Sequence, residues 1–208
     1  MPKRVVAISR TSGAGGEDVG RIVSEQLGYR YVDEEIISTA ASKAGVAPDL
    51  VADVEKRKGL VARFLSALPR AGVAAGSAGM LIPDTSSLGG SEDYRNLILE
   101  AIAEIAGQGE VVIVAHAASM ALSGREDVLR VLVTASTGSR ARRLRETGAV
   151  EGAEAATSVR RDDAARADYL KRFHSIDREL PTHYDLVLNT DALGIDRAAA
   201  IVVHSAGL

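Results

Sequence analysis

Several residue types are missing or scarce in this sequence, and each absence excludes a class of function. Cysteine is absent, which excludes disulfides, thiolate metal sites and a cysteine nucleophile and is typical of a reducing, cytoplasmic compartment. The four histidines are scattered, so zinc chemistry is not expected. Tryptophan is absent and aromatic residues make up only 3%. The core must therefore be built from Val, Ile, Leu and Ala.

A strong charge of one sign is also missing. The 25 basic and 28 acidic side chains give a net charge of −3, so no bulk positive field is available to hold nucleic acid. No apolar run approaches the roughly 20 residues that span a bilayer, and the apolar stretch Val5–Ile8 is too short for a signal peptide. We expect a cytoplasmic protein that binds small molecules, not membranes or nucleic acid. The sequence leaves open whether it is a homo-oligomer.

What is present is an alternation of strand-like and helix-like segments over 208 residues, a length typical of one domain. Stripes with helical spacing include Val19, Ile22, Val23 and Leu27, which ends at Gly28. Other helices are expected from near Ser91 to near Gly107 and over 196–203. Five apolar runs resemble strands that are covered on both faces, and they are Val5–Ser9, Tyr29–Val32, Val111–Ala115, Leu129–Thr134 and Asp185–Leu188. The pattern predicts an α/β fold, a three-layer sandwich around a parallel sheet.

One segment breaks this pattern. Residues 66–90 are dense in Ala, Gly, Ser and Pro, and Pro69 and Pro83 interrupt any helix. A loop of this length inside a compact domain is usually a lid, a binding loop or disordered. A flexible insertion without function and a moving substrate cover both remain open.

The sharpest signal is a glycine-rich loop between the first strand and the first helix. It reads Ser12-Gly13-Ala14-Gly15-Gly16, and we call Ser12–Gly16 the glycine loop. Small residues let the backbone fold tightly and aim successive N–H groups inward, where the helix dipole adds positive charge. The loop also follows the carboxyl end of a strand, where open α/β sheets bind ligands. These features are typical of a phosphate site, and a tight structural turn is an equal alternative.

The loop departs from the phosphate-binding pattern G-x-x-x-x-G-K-[ST]. With Gly15 on the second glycine, Arg10 replaces the first glycine, Gly16 the lysine and Glu17 the hydroxyl residue. The dinucleotide pattern G-x-G-x-x-G fits in part, with Asp18 in place of its third glycine. A dinucleotide-binding oxidoreductase is therefore a weaker hypothesis.

Three longer segments carry a resemblance to a known family. They are VVAISRTSGAGGEDVGRIVSEQLGYRYVDEEII, VLRVLVTASTGSRARRL and DLVLNTDALGIDRAAAIV. In their order and spacing they resemble the cytidylate kinase-like family, a divergent branch of the nucleoside monophosphate kinases in the P-loop NTPase superfamily. Members of that family characteristically lack the loop lysine. The resemblance covers roughly residues 5–60 and 91–205.

The resemblance implies a fold and a reaction. It implies a five-stranded parallel sheet of order 2-3-1-4-5, a substrate-side helical insertion over 34–95 with a flexible part at 66–90, and a lid over 146–180. It implies transfer of the γ-phosphoryl group of ATP, with Mg²⁺, to a nucleoside monophosphate or a similar small acceptor.

The resemblance also assigns residues to the donor nucleotide. It places Ser12, Gly13, Ala14, Gly15 and Gly16 on the phosphates. Arg10 is the candidate for the charge of the absent lysine. Glu17, or its neighbour Asp18, is the candidate metal ligand where the hydroxyl residue is missing.

The segment after the fourth strand carries the candidate catalytic groups. Arg160, Arg161, Asp163 and Arg166 resemble the arginines and the Asp-x-x-Arg pair of the family's lid. Guanidinium groups there would neutralise the charge of the transferred phosphoryl group. The alternative is a solvated helix with salt links at i, i+3 and i, i+4.

Three further residues are assigned with their alternatives. Arg140 matches the arginine that leads into the lid and would stack on the base. Asp33 lies near the entrance to the monophosphate site, or simply caps the next helix. His116 stands where the family has Gly-Arg, so either it donates to the acceptor phosphate or it is a hydrogen-bonded histidine at a strand end. This departure leaves the acceptor open.

A second class of function is open as well. The loop lacks both the lysine and the hydroxyl residue, and His116 replaces an acceptor arginine. These changes are also compatible with a catalytically degenerate nucleotide-binding protein that acts as a sensor or a partner subunit.

Overall fold

Five parallel strands form the centre of the molecule. The computed structural model describes residues 3–33, 92–115, 117–150 and 154–207. All five predicted strands are confirmed, and no boundary differs from the prediction by more than one residue. In chain order they are β1 (Val5–Arg10), β2 (Arg30–Asp33), β3 (Val111–Val114), β4 (Val128–Thr134) and β5 (Leu186–Asn189).

The strand order is β2-β3-β1-β4-β5, as predicted from the family resemblance. β1 lies in the middle, where Ala7 is in register with Ile113 of β3 and with Arg130 of β4. Because every pair is parallel, the carboxyl ends of all five strands lie at one edge of the sheet. The segments that follow β1 and β4 therefore start next to each other.

Helices connect these strands. Among the described residues they are α1 (Gly16–Leu27), α2 (Glu92–Gln108), α3 (Ala118–Ala121), α4 (Thr137–Glu146), α5 (Ala155–His174) and α6 (Thr190–Ala206). A 3₁₀ turn at Pro181–His183 precedes β5. α1 ends at Gly28, which has φ 70° and the left-handed conformation that a glycine stop provides. Within the described part of the chain, no helix has the length and apolarity of a membrane span.

The last helix begins earlier than the sequence pattern predicts. The predicted helix over 196–203 is the second part of α6. A short turn precedes it because the Asn189 side chain accepts a hydrogen bond from the amide of Asp191 at 2.9 Å. Gly194, with φ 72° and ψ 173°, then interrupts the helical backbone.

The sheet is covered on both faces, which explains the nearly continuous apolar runs. Alternate residues of the central strands β1 and β3 belong to different clusters. One cluster packs α2 and α3 on Val5, Ala7, Val111 and Ile113. The other packs α1 and α6 on Val6, Ile8, Val112 and Val131. The three-layer α/β sandwich is confirmed.

Some predictions lie outside the described residues. These are the insertion over 34–91, including the part at 66–90, the helix that Asp33 would cap, and His116. Residues 92–95, the end of the predicted insertion, belong to α2. The predicted lid over 146–180 contains α5, which packs on α4 through Ala141, Ala155 and Val159.

Candidate active site at the carboxyl edge of the sheet

The glycine loop connects the central strand to α1. Gly13 and Gly15 have φ of 75° and 81°, the left-handed region that glycine enters without steric cost. The Ala14 amide donates to the carbonyl oxygen of Thr11 at 3.0 Å. Within the described residues, the amides of Gly13, Gly15 and Gly16 donate to no protein acceptor. Free amides beside the positive end of α1 form a site suited to an anion.

Gly13 is also fixed by close packing. A Cβ atom at this position would lie 2.7 Å from the carbonyl oxygen of Arg140. Since that neighbour is backbone, it has little freedom to move. Glycine at position 13 therefore lets α4 approach the loop directly, and this approach brings the arginines of α4 to the loop.

Arg10 covers the position where the phosphate-binding pattern has its lysine. A Cβ atom at Gly16 would lie 2.6 Å from the Cβ atom of Arg10, so a side chain at position 16 and the present position of Arg10 are incompatible. Arg10 Nε lies 2.6 Å from Oε1 of Glu17. Arg10, the candidate substitute for the lysine, is thus ion-paired at the start of α1 with Glu17, the candidate metal ligand.

Arg140 connects the glycine loop to α5. Its side chain is only 5% exposed. Nε donates to the carbonyl oxygen of Ser12 at 2.7 Å, and the two terminal nitrogens donate to the Asp163 carboxylate at 2.9 and 2.7 Å. This forked pairing is strong and directional. Arg140 and Asp163, to which the family resemblance assigns base binding and catalysis, are therefore direct partners.

Arg166 is buried next to the same loop. Its guanidinium donates to both carboxylate oxygens of Glu179, at 3.1 and 2.5 Å, and to the Tyr184 hydroxyl at 3.1 Å. Nη1 lies 3.4 Å from the carbonyl oxygen of Arg10. Tyr184 also donates to Glu179. These contacts join α5 to the segment before β5. They also point the Arg166 side chain toward the end of β1.

The charges in this cluster shift the pKa of Glu179. Burial raises the pKa of the Glu179 carboxyl. The hydrogen bonds and the positive charge of Arg166 outweigh this effect, so the pKa lies below its ordinary value. The pKa of the Tyr184 hydroxyl is raised, first by burial and then by its hydrogen bond to the Glu179 carboxylate. Glu179 is therefore ionised at neutral pH, and Tyr184 keeps its proton.

These groups enclose one cleft of about 220 Å³. It is lined by Thr11, Arg140, Asp163, Arg166, Ala167, Leu170, Ile176, Asp177 and Glu179. The cleft combines two buried guanidinium groups with carboxylates and opens beside the glycine loop. The structure thus brings together three parts of the chain: the loop, Arg140 on α4, and Asp163 and Arg166 on α5.

Other predicted site residues lie away from this cleft. Arg160 and Arg161 are exposed, and each side chain donates to a hydroxyl one turn back on α5, Thr157 at 3.2 Å and Ser158 at 3.4 Å. Asp33 is half-buried at the carboxyl end of β2. The position of β2 is the one that the resemblance implies, next to β3 and one strand away from β1.

The structure adds four residues that the sequence reasoning did not assign to the site. Glu179 and Tyr184 hold Arg166, while Arg143 and Thr190 contact the glycine loop. Arg143 lies in one of the three segments that carry the family resemblance, one turn after Arg140. Thr190 lies in the last of these segments, DLVLNTDALGIDRAAAIV. Glu179 and Tyr184 lie outside all three, and only the folded chain brings them to the site.

The fold and the site define a class. A parallel sheet of order 2-3-1-4-5, with a glycine loop and an arginine cluster at its carboxyl edge, is a kinase-like nucleotide-binding α/β fold. The model of the cytidylate kinase-like family matches residues 5–192, and the chain belongs to that family. No curated protein matches the chain.

Solved structures support the fold. An uncharacterized protein from Eubacterium ventriosum is 17% identical, covers 98% of each chain and has a TM-score of 0.67. The shikimate kinase of Bacteroides thetaiotaomicron is 14% identical over 97% of each chain, with a TM-score of 0.56. A shikimate kinase from Acinetobacter baumannii, in complex with shikimate, is 12% identical over 99% of this chain and 92% of that one, with a TM-score of 0.52. At these identities the likeness concerns the fold.

Proposed function

We propose that this protein is an ATP-dependent phosphotransferase that moves the γ-phosphoryl group to a nucleoside monophosphate or a similar small acceptor. One observation carries the proposal. In a member of the cytidylate kinase-like family, the glycine loop with its unpartnered amides directly follows Thr11, which lines one cleft together with the buried residues Arg140 and Arg166. Phosphoryl transfer depends almost entirely on positioning and on neutralising charge, and these groups supply both.

The donor phosphates would lie on the glycine loop. The amides of Gly13, Gly15 and Gly16 would donate to phosphate oxygens, with Ser12 and Ala14 completing the loop. Arg10 would supply the cation that the missing lysine supplies elsewhere. The packing of Arg10 over Gly16 supports this role, because the Arg10 side chain occupies the space that a side chain at position 16 would need.

Arg166 would neutralise the transferred phosphoryl group. It faces the end of β1 from α5, and Glu179 and Tyr184 fix its direction. Asp163 would orient Arg140 through the forked ion pair. Contact of Arg140 with the base, and of Arg160 and Arg161 with the phosphates, stay predictions. The latter two side chains need new rotamers or a movement of α5 to reach the cleft.

Mg²⁺ fits the donor set only together with the nucleotide. The described residues hold no group of three or more side chains that could ligate a metal ion by themselves. Mg²⁺ is commonly held by one or two carboxylates together with substrate phosphates and water, and Glu17, with Asp18 as the alternative, directly follows the loop in the sequence. When bound, the ion would neutralise charge on the phosphate chain.

The acceptor would bind on the side of β2 and β3. Asp33 ends β2 at the carboxyl edge of the sheet, and the resemblance assigns both Asp33 and His116 to the acceptor. A small hydroxyl compound is the second acceptor class to test, since shikimate kinases share the fold.

A nucleotide-binding protein without turnover is the second candidate function. Three arginines near the loop already have a carboxylate partner: Arg10 pairs with Glu17, Arg140 with Asp163 and Arg166 with Glu179. Such a self-neutralised site, without a loop lysine, is also suited to sensing a nucleotide.

One experiment separates the two. The purified protein is incubated with Mg-ATP and a panel of nucleoside monophosphates and small hydroxyl acceptors, and phosphorylated product is measured. We expect turnover that falls about 10³-fold in Arg166→Ala and stays near wild type in Arg172→Ala, an exposed arginine of the same helix. Tight ATP binding without product across the panel would favour the second function, and absence of ATP binding would exclude both.

A further inference from the structure

Two residues outside the predicted site contact carbonyl oxygens of the glycine loop. Thr190, 2% exposed at the start of α6, donates its hydroxyl to the Ala14 carbonyl oxygen at 2.8 Å. Arg143 Nη1 donates to the same carbonyl at 3.1 Å and to Thr190 Oγ1 at 2.9 Å, and lies 3.4 Å from the Gly13 carbonyl oxygen. We call these two residues the Arg143–Thr190 pair.

Peptide geometry turns these contacts into an effect on the amides. The carbonyl of one residue and the N–H of the next belong to one planar trans unit and point in opposite directions. Fixing the Ala14 carbonyl toward Thr190 therefore directs the Gly15 N–H to the other side. In the same way, the bond from Arg140 to the Ser12 carbonyl directs the Gly13 N–H away from α4.

The two amides directed in this way are among the three without a protein acceptor in the described residues. Gly13 and Gly15 donate to no group among the described residues, whereas the Ala14 amide is used by the Thr11 carbonyl. Nothing inside the loop holds these two peptide units, so the contacts on their carbonyl oxygens have to do so.

We propose that the Arg143–Thr190 pair positions the glycine loop for phosphate by binding its carbonyl oxygens. The proposal rests on the proposed function, since it assumes that the loop binds the phosphate chain of a nucleotide. Arg143 and Thr190 are positioning residues: they act on the phosphates through the direction of the Gly15 amide. A loop without its own lysine is held in this way by a cation from α4.

Thr190 offers the sharper test because its hydroxyl can be removed almost without change of shape. Thr190→Val loses the donor to Ala14, and Thr190→Ser keeps it. We expect the dissociation constant for Mg-ATP, measured by calorimetry, to rise at least about tenfold in Thr190→Val and to stay within about threefold of wild type in Thr190→Ser. Equal affinities of the two variants would overturn the proposal.

Arg143 is tested beside its neighbour. Arg143→Gln removes the cation from the loop, whereas Arg142→Gln changes an exposed arginine of the same helix whose partner is Glu146, at 3.8 Å. We expect weaker ATP binding in the former and wild-type binding in the latter. Where Arg143→Gln fails to fold, the two Thr190 variants decide.

A second readout needs no nucleotide. The ¹⁵N order parameters of Gly13 and Gly15 in the nucleotide-free protein should fall from values near 0.85 toward 0.6 in Thr190→Val and remain high in Thr190→Ser. Lost affinity with unchanged order parameters would overturn the proposal, because Thr190 would then act on the nucleotide itself. A wild-type protein that binds no ATP would refute the proposed function, while the order parameters would still decide whether the pair holds the loop.

Discussion

Arg166 is a buried cation, and the carboxylate of Glu179 offsets the electrostatic cost of its burial. A guanidinium group that is 5% exposed would cost several kcal/mol if it were unpaired. The carboxylate of Glu179 and the hydroxyl of Tyr184 satisfy it in the folded chain. The Asp-x-x-Arg pattern predicted Arg166 from the sequence. It could not predict Glu179, because a single glutamate in an irregular segment carries no periodicity and no motif.

This pair predicts a pH dependence of stability. The pKa of Glu179 is lower in the folded chain than its ordinary value. The Glu179 charge therefore contributes fully to the free energy of unfolding above the unfolded pKa of about 4.3, and this contribution is lost as the pH falls below that value. Glu179→Gln should reduce the free energy of unfolding at pH 7 by about 1–3 kcal/mol. The gap between wild type and variant should narrow below about pH 4. Urea unfolding from pH 7 to pH 3.5 measures both.

Asp177→Asn is the matched control for this measurement. Asp177 lies two residues away, is 85% exposed and pairs with the exposed Lys171 at 3.3 Å. We expect a change within about 0.5 kcal/mol at every pH. A gap between wild type and Glu179→Gln that stays constant down to pH 3.5 would contradict the role of the Glu179 charge.

At the scale of elements, strand β1 and helix α1 are joined by a turn in which a side chain at position 16 would collide with Arg10. Arg10, the last residue of β1, packs over Gly16, the first residue of α1. The sequence shows that lysine is missing from the loop, and the structure gives a physical reason: Arg10 fills the volume. Comparison with the phosphate-binding pattern could align the two positions but could not show that they compete for space.

This junction predicts that restoring the lysine fails. In Gly16→Lys the new Cβ atom would lie 2.6 Å from that of Arg10, so we expect a loss of about 1–3 kcal/mol in the free energy of unfolding and no gain in ATP affinity. Gly138→Lys is the control, since a Cβ atom at Gly138, in the first turn of α4, meets nothing within 4 Å. Chemical unfolding and calorimetry measure the two quantities.

Gly138→Lys should change the free energy of unfolding by about 0.5 kcal/mol or less. A stable Gly16→Lys variant that binds ATP more tightly than wild type would show that lysine and Arg10 can coexist. In that case Arg10 would not be a substitute for the lysine.

Sequence patterns predicted the strands and their ends to within one residue, and the start of α6 is the clear exception. Strands buried on both faces leave apolar runs that are easy to recognise, such as Val111–Val114. The start of α6 was misplaced because it depends on one capping side chain, Asn189, and on the non-helical backbone of Gly194. Neither feature changes the apolar periodicity on which the prediction depended.

At the scale of the whole molecule, the sheet order determines which segments can form a site. Because β1 lies between β3 and β4, the segments after β1 and β4 are adjacent, and residues more than a hundred positions apart become partners, such as Arg140 and Ser12. The family resemblance predicted this order. Periodicity alone could not, because a parallel sheet of five buried strands permits many orders.

The same convergence predicts how the whole molecule responds to a nucleotide. The glycine loop contacts α4 and α6, and Arg140 and Arg166 extend the contacts to α5 and the segment before β5. A ligand that bridges these elements stabilises only the folded state. Mg-ATP at a hundred times its dissociation constant adds about 2.7 kcal/mol, and we expect the Tm to rise by about 5–10 °C. A thermal scan measures this rise.

Adenosine is the control for this scan, because it keeps the base and the sugar and lacks the phosphates. Since the proposed anchor is the row of free amides and the guanidinium groups around the cleft, adenosine at equal concentration should move the Tm by less than about 2 °C. Inorganic triphosphate, which keeps only the anionic chain, should reproduce a large part of the rise. An equal rise with adenosine and ATP would mean that the base carries the affinity, and a phosphate site at the glycine loop would then be wrong.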